Sequence, residues 1–245
     1  MDGHMDSLVR VPHRCNIIPK FELSYVALLS ELYSRDSIRA AKRIANPGCY
    51  ATSTQLLIAP LLPFLARPAW PSVFGMSGYS GAGTVVGPQD PNGRPTTIPK
   101  ISAEDLNSGV RPYALTDHIH EREAGAHLSR LLPPDTESMK VAFVPTVAPW
   151  FSGIISVLSM SLSQQLSARE IKALYEKKYA DEKLVKLQKD IVEVKDVQAQ
   201  HCWVVGGFQV HSQGDRAVVV VGATPCCIAV FSKPNRVSRV VWITS

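Results

Sequence analysis

Apolar positions along this 245-residue chain fall into two kinds of run. Runs rich in valine and other strand formers at 73–76, 140–147, 154–162, 185–194, 202–210 and 217–221 predict strands. Apolar runs at 25–32 and 56–65 predict helices, and Pro60 and Pro63 must kink or end the second. Ser167-Ala168-Arg169-Glu170 is a capping-box pattern that opens a third helix through Lys178. On that helix Tyr175 and Tyr179 fall at helical spacing and are expected to pack. Residues 1–19, interrupted by Pro12 and Pro19, show no period and read as irregular. Residues 147–153 read as a turn. Residues 87–100 are rich in proline and glycine and read as a long surface loop, of a length that hints at function or an interface. Helix, strands, helix, strands is the order of an α+β unit with a largely antiparallel sheet.

Composition narrows the class. Hydrophobic residues make up 45% of the chain and mean hydropathy is +0.02, which suits a packed core in one large domain or two small ones. The formal charge of +5 is scattered, with few aromatics between the basic residues, so the sequence argues against a nucleic-acid surface and suits a small anionic substrate. Five cysteines (Cys15, Cys49, Cys202, Cys226, Cys227) form no CxxC pair, which points to a reducing compartment and away from zinc. No apolar run approaches membrane-spanning length, and no targeting pattern opens the chain.

Three stretches concentrate candidate chemistry. In Asn46-Pro47-Gly48-Cys49-Tyr50 a cysteine stands at a sharp turn just before an apolar run. Pro47 holds Asn46 extended, and Gly48 permits angles closed to other residues. Near the first turn of a helix, free amides and the macrodipole favour a thiolate and lower the thiol pKa from ~8.5. The plainer reading is a small buried residue at a helix start. Ser77-Gly78-Tyr79-Ser80-Gly81-Ala82-Gly83-Thr84 can bring backbone amides to a ligand, though without the spacing of a dinucleotide fingerprint or a P-loop. In Thr116-Asp117-His118-Ile119-His120-Glu121-Arg122-Glu123, a helix from about Thr116 puts His120 and Glu123 on one face. A carboxylate on an imidazole prepares a general acid or base. No set of metal ligands accompanies it, and a solvated helix start remains the alternative.

These motifs, with Gly206-Gly207-Phe208-Gln209-Val210-His211, resemble N-acetyl-gamma-glutamyl-phosphate reductases of the fungal type. The resemblance runs from about residue 31 to residue 221, leaving 1–30 poorly matched and 222–245 divergent. It implies a catalytic and dimerisation domain like those of aspartate-semialdehyde and glyceraldehyde-3-phosphate dehydrogenases, a mixed, largely antiparallel sheet with helices on one face. The family's NADP-binding domain is expected ahead of such a unit, and no Gly-rich turn of that kind precedes residue 45 here.

The resemblance further implies NADPH-dependent reduction of an acyl phosphate to an aldehyde through a cysteine thioester, in arginine biosynthesis. Cys49 would be the nucleophile and His120 the proton carrier, oriented by Glu123, with His118 as substrate contact or alternative base. Asn46, Gln55 and Arg111 or Arg122 would contact substrate, and Ser80, Gly81, Ala82 and Gly83 would lie against the nicotinamide end of NADP. A homo-oligomer and, by fungal analogy, the mitochondrial matrix are implied, the cytoplasm being the alternative. Two further readings are an inactive dimerisation fragment and a cysteine hydrolase using Cys49 and His120.

Overall fold

The computed structural model describes residues 26–27, 29–33, 35–40, 44–198, 200–224 and 240–242. They fall into two compact units that divide between Pro47 and Gly48. The first contains β1 (Val26–Ala27), α1 (Arg35–Ala40), β2 (Ile44–Asn46) and β12 (Val240–Trp242). β2 lies between β1 and β12, parallel to both. The helix expected over 25–32 is absent from its described part. Val26 and Ala27 are extended because they pair with Ile44 and Ala45, and the amides of Leu32 and Tyr33 close a turn on the Leu29 carbonyl. The unit boundary lies at 47/48.

The second unit holds the candidate chemistry. α2 (Cys49–Ile58) opens it and passes into a 3-10 segment at Ala59–Phe64. Prolines explain the change. Leu56 would accept from the amide of residue 60, but Pro60 has none. Tyr179 replaces that donor, its hydroxyl 2.7 Å from the Leu56 carbonyl, and the Tyr175 hydroxyl donates to the Leu57 carbonyl. Both tyrosines belong to α5 (Ala168–Tyr179), which begins at the expected Ser167–Glu170 capping box. They pack, as expected, and they also terminate α2.

Against these helices packs a seven-stranded sheet. Its strands are β3 (Ser72–Gly78), β6 (Arg111–Pro112), β7 (Ala142–Ala148), β8 (Ile154–Ser161), β9 (Val185–Leu187), β10 (Trp203–Val210) and β11 (Arg216–Ala223), in the order β6-β7-β3-β8-β11-β10-β9. The β3–β7 and β10–β9 pairs are parallel and the other four antiparallel. α2 and α5 cover one face. Ser53 of α2 meets Ser156 of β8 at 2.9 Å, and Tyr50 packs where a side chain on Gly75 would stand. α4 (Ile119–Ser129) lies beside α2 and against β7.

The other face is partly covered. The run 185–194 is a strand only to Leu187, and α6 (Val194–Val197) follows. Val192 and Val197 join Ile155, Val204 and Val220 in an apolar cluster there. Phe74 and its register partner Val144 lie beyond this patch, Phe74 being half exposed.

Residues 84–99 are a two-stranded hairpin, where the sequence suggested a loop. β4 (Thr84–Gln89) pairs antiparallel with β5 (Pro95–Pro99). The Asp90 carboxylate accepts from the amides of Asn92 and Arg94, which closes the tip. A further helical turn, α3 (Ala103–Leu106), is boxed by Ser102 and Asp105. In the Gly206–His211 motif the register slips between Gly206 and Gln209, and Gly207 takes φ +62°. That bulge turns Phe208 inward, edge-on to Tyr175 at 5.2 Å.

Candidate active site

Cys49 is the first residue of α2, and Gly48 is its N-cap. Gly48 has φ −62° and ψ 160°, ordinary extended backbone, so glycine is not required here for its angles. It is required for space. A Cβ at Gly48 would lie 2.0 Å from Cε1 of His120. The imidazole occupies the volume that a side chain would take immediately before the cysteine. It also stands 6.4 Å from the ring of Tyr50, so the two sequence neighbours of Cys49 bracket it.

Glu123 holds this arrangement. One carboxylate oxygen is 2.9 Å from His120 Nδ1, and the other accepts the Gly48 amide at 3.3 Å. Both side chains are buried or nearly so. The expected His120–Glu123 pair therefore forms, and it clamps the cysteine turn as well. With Nδ1 committed to Glu123, Nε2 is the nitrogen left for proton transfer.

The thiol is not pre-ionised. Burial pushes Cys49 up to about 11, against the lowering expected at a helix start. The expected influence is present, since the backbone amides of Tyr50 and Cys49 pull the pKa down, but desolvation outweighs them and the charge of Glu123 adds to it. Cys49 must give up its proton as it reacts, which makes an adjacent base a requirement.

His118 is the N-cap of α4, its Nδ1 accepting the His120 amide at 3.2 Å. Its ring is buried among Tyr113, Phe143 and His120. Burial, helped by His120, pulls its pKa down to about 4, so it is neutral near pH 7 and caps the helix. Tyr113 escaped the sequence reading. Burial and the nearby Cys49 raise its hydroxyl to about 12, which places it in the electrostatic neighbourhood of the thiol. No sequence spacing links residues 49 and 113; strand pairing does so.

The remaining candidates separate. Gln55 is fully buried and donates its amide to the Ala51 carbonyl of its own helix. Arg111 is exposed on the edge strand β6, two residues before Tyr113, and its guanidinium donates to the Asp105 carbonyl. Arg122 is exposed on α4, two residues from His120, and so about 200° around the helix from it. The structure thus separates Arg122 from the cysteine. Asn46 closes β2 in the other unit. The glycine-rich turn after β3 is not an open amide cradle. The amides of Tyr79 and Ser80 bond the carbonyls of Trp150 and Phe151, and that of Ala82 bonds Tyr79. A side chain on Gly81 would strike Ser77, and Gly83 takes φ +87°.

The profile described as "Semialdehyde dehydrogenase, dimerisation domain" matches residues 49–223. The chain belongs to that family. Its match begins at the cysteine and ends with β11. The chain is 43% identical over 202 residues to "Protein arg11, mitochondrial" of Schizosaccharomyces pombe, covering 82% of this chain and 20% of that protein. It is 42% identical to "N-acetyl-gamma-glutamyl-phosphate reductase" of Xanthomonas euvesicatoria, covering 82% of this chain and 56% of the relative. The chain therefore spans about a fifth of the fungal relative and just over half of the bacterial one. Among solved structures, the aspartate semialdehyde dehydrogenase of Francisella tularensis aligns with a TM-score of 0.58 at 16% identity, covering 82% of this chain and 66% of that one. Vibrio cholerae aspartate semialdehyde dehydrogenase II gives 0.60 at 14%, covering 83% and 67%. These two alignments show the shared fold, that of a semialdehyde dehydrogenase catalytic domain.

Among the described residues, no cluster of His, Cys, Asp or Glu is placed to hold a metal ion. No helix among them is long and apolar enough to cross a membrane.

Proposed function

We propose that this chain is the acyl-accepting and dimerisation portion of an N-acetyl-gamma-glutamyl-phosphate reductase, with Cys49 as nucleophile and His120 as its base. The observation that supports this reading is the two-handed grip of Glu123, on His120 Nδ1 and on the Gly48 amide. It seats an imidazole against the residue preceding a partly buried, protonated thiol. As Cys49 Sγ attacks the carbonyl carbon of the acyl phosphate, its proton passes to His120 Nε2. An S–C bond forms, the C–O bond to phosphorus breaks, and phosphate leaves. The first-turn amides of α2, which already favour negative charge on sulfur, also favour the charge that develops during attack. Tyr113 is coupled electrostatically to the same thiol.

Reduction of the thioester to the semialdehyde, with NADPH as hydride donor, is proposed for the whole protein. The turn at Ser80–Gly83 does not fit as an amide cradle for the cofactor, since the Ser80 and Ala82 amides are in use. The self-association proposed here runs through the sheet face that carries Phe74 and Val144. A mitochondrial location follows only from the fungal relatives, whose names state it for them.

The test is covalent. Incubated with N-acetyl-gamma-glutamyl phosphate, or with acetyl phosphate as a simpler donor, the chain is expected to gain one acyl group on Cys49 by intact-mass and peptide analysis. Cys49→Ala is expected to gain none. Release of free acid without a detectable adduct, abolished in Cys49→Ala, would favour the hydrolase reading instead. No reaction at Cys49 would sink the proposal.

A further inference from the structure

Arg122 was singled out by its motif, yet it faces away from the cysteine, and the structure gives it a different setting. On the back of α4 lies a groove of about 490 Å³, lined by Trp70, Arg122, Ala126, Ser138, Met139 and Lys140 among others. That volume falls within the ~300–1,000 Å³ of small-molecule sites. Its floor is rigid. The Ser129 hydroxyl donates to Gly125 and accepts the Met139 amide at 2.7 Å, and Gly125 lets α4 approach until a Cβ there would lie 2.8 Å from the Met139 carbonyl. Glu121, also on the wall, gives one carboxylate oxygen to the Phe143 amide and so ties α4 to β7.

The chemistry of the walls is specific. Arg122 forms no ion pair among the described residues. The Lys140 ammonium stands 5.5 Å from the centre of the Trp70 ring and meets Glu137 only in an exposed pair at 3.4 Å, a kind worth little in water. Two cations therefore border a groove that carries one carboxylate, beside an indole that is half exposed and the buried Met139. A guanidinium and an ammonium recognise a carboxylate or phosphate, and an indole face takes a flat ring. We propose that this groove binds a small aromatic anion, its ring against Trp70 and Met139 and its acid group between Arg122 and Lys140. The site is separate from Cys49 and independent of the acyl-transfer reading.

The probes are phenyl phosphate, benzoate and inorganic phosphate, titrated into the 15N-labelled chain while the Trp70 indole N–H, assigned with Trp70→Phe, is followed by NMR. Saturable movement of that signal by phenyl phosphate or benzoate is expected, and the stronger of the two identifies the acid group. Arg122→Gln and Lys140→Gln, both at exposed positions, are each expected to weaken binding about tenfold. Blocking Cys49 with iodoacetamide is expected to leave the titration unchanged. Absence of saturation, equal binding of inorganic phosphate, or indifference to both substitutions would overturn the proposal. So would loss of binding on blocking Cys49, since the anion would then be at the acyl site.

Discussion

A cysteine at a helix start invites the inference of a ready thiolate, and here two influences of opposite sign meet at one sulfur. The first-turn amides lower its pKa, burial raises it, and burial wins, leaving the group near 11. Because only the thiolate alkylates, the iodoacetamide rate at Cys49 is expected to be low at neutral pH. It should rise about tenfold per pH unit from 8 to 10, and level off only near the pKa. A plateau already reached by pH 8 would show that the helix start dominates. The neighbouring glycine yields a second expectation. Gly48→Ala forces a methyl into the seat of the imidazole and is expected to cost roughly 1–3 kcal/mol in urea denaturation, with slowed acylation of Cys49. A variant as stable and as reactive as the parent would show that His120 can move aside without consequence.

At this scale the sequence was informative where chemistry follows local spacing. His120 and Glu123, three residues apart on α4, were legible as a pair. The role of Gly48 was not, because the ring that forbids a side chain there comes from 72 residues away. Tyr113 was invisible for the same reason.

At the scale of elements, α2 is a helix broken by its own prolines and repaired from another element. Tyr179 supplies the hydrogen bond that Pro60 lacks. Tyr179→Phe leaves the buried Leu56 carbonyl without that donor and is expected to destabilise the chain by about 1–3 kcal/mol in urea denaturation. An unchanged midpoint would show that this carbonyl is satisfied by other means. Most strands were legible, since valine-rich runs in a sheet covered on one or both faces leave a strong signal. The exceptions are instructive. The hairpin at 84–99 hid behind prolines, which edge strands tolerate because one side of each needs no ladder bond. Residues 188–194 kept a strand-like composition but leave the sheet to deliver Val192 to its second face.

At the scale of the molecule, the same sheet serves two ends. Its α2 side positions the cysteine and the imidazole, while the opposite side is covered by α6 over β8, β10 and β11 and left open around Phe74 and Val144. An apolar strip on a sheet face suits a second copy, and the family is described as a dimerisation domain. The chain is expected to sediment as a dimer, and Phe74→Glu, which places a charge at that strip, is expected to sediment as a monomer. A monomeric parent, or a dimer that survives the substitution, would move the interface elsewhere. Division between Pro47 and Gly48 was not legible, because a strand such as β2 is assigned to a unit by the partners it pairs with, β1 and β12.

The central claim is that His120, held by Glu123, takes the proton of a thiol that is neutral at rest. Single-turnover acylation of Cys49 by acetyl phosphate, timed by quenched-flow mass spectrometry near neutral pH, tests it most directly. His120→Asn is expected to slow that step by ~10²–10⁴-fold while leaving the adduct on the same sulfur. Acylation at the parent rate in His120→Asn would contradict the account, because the proton would then leave Cys49 by another route.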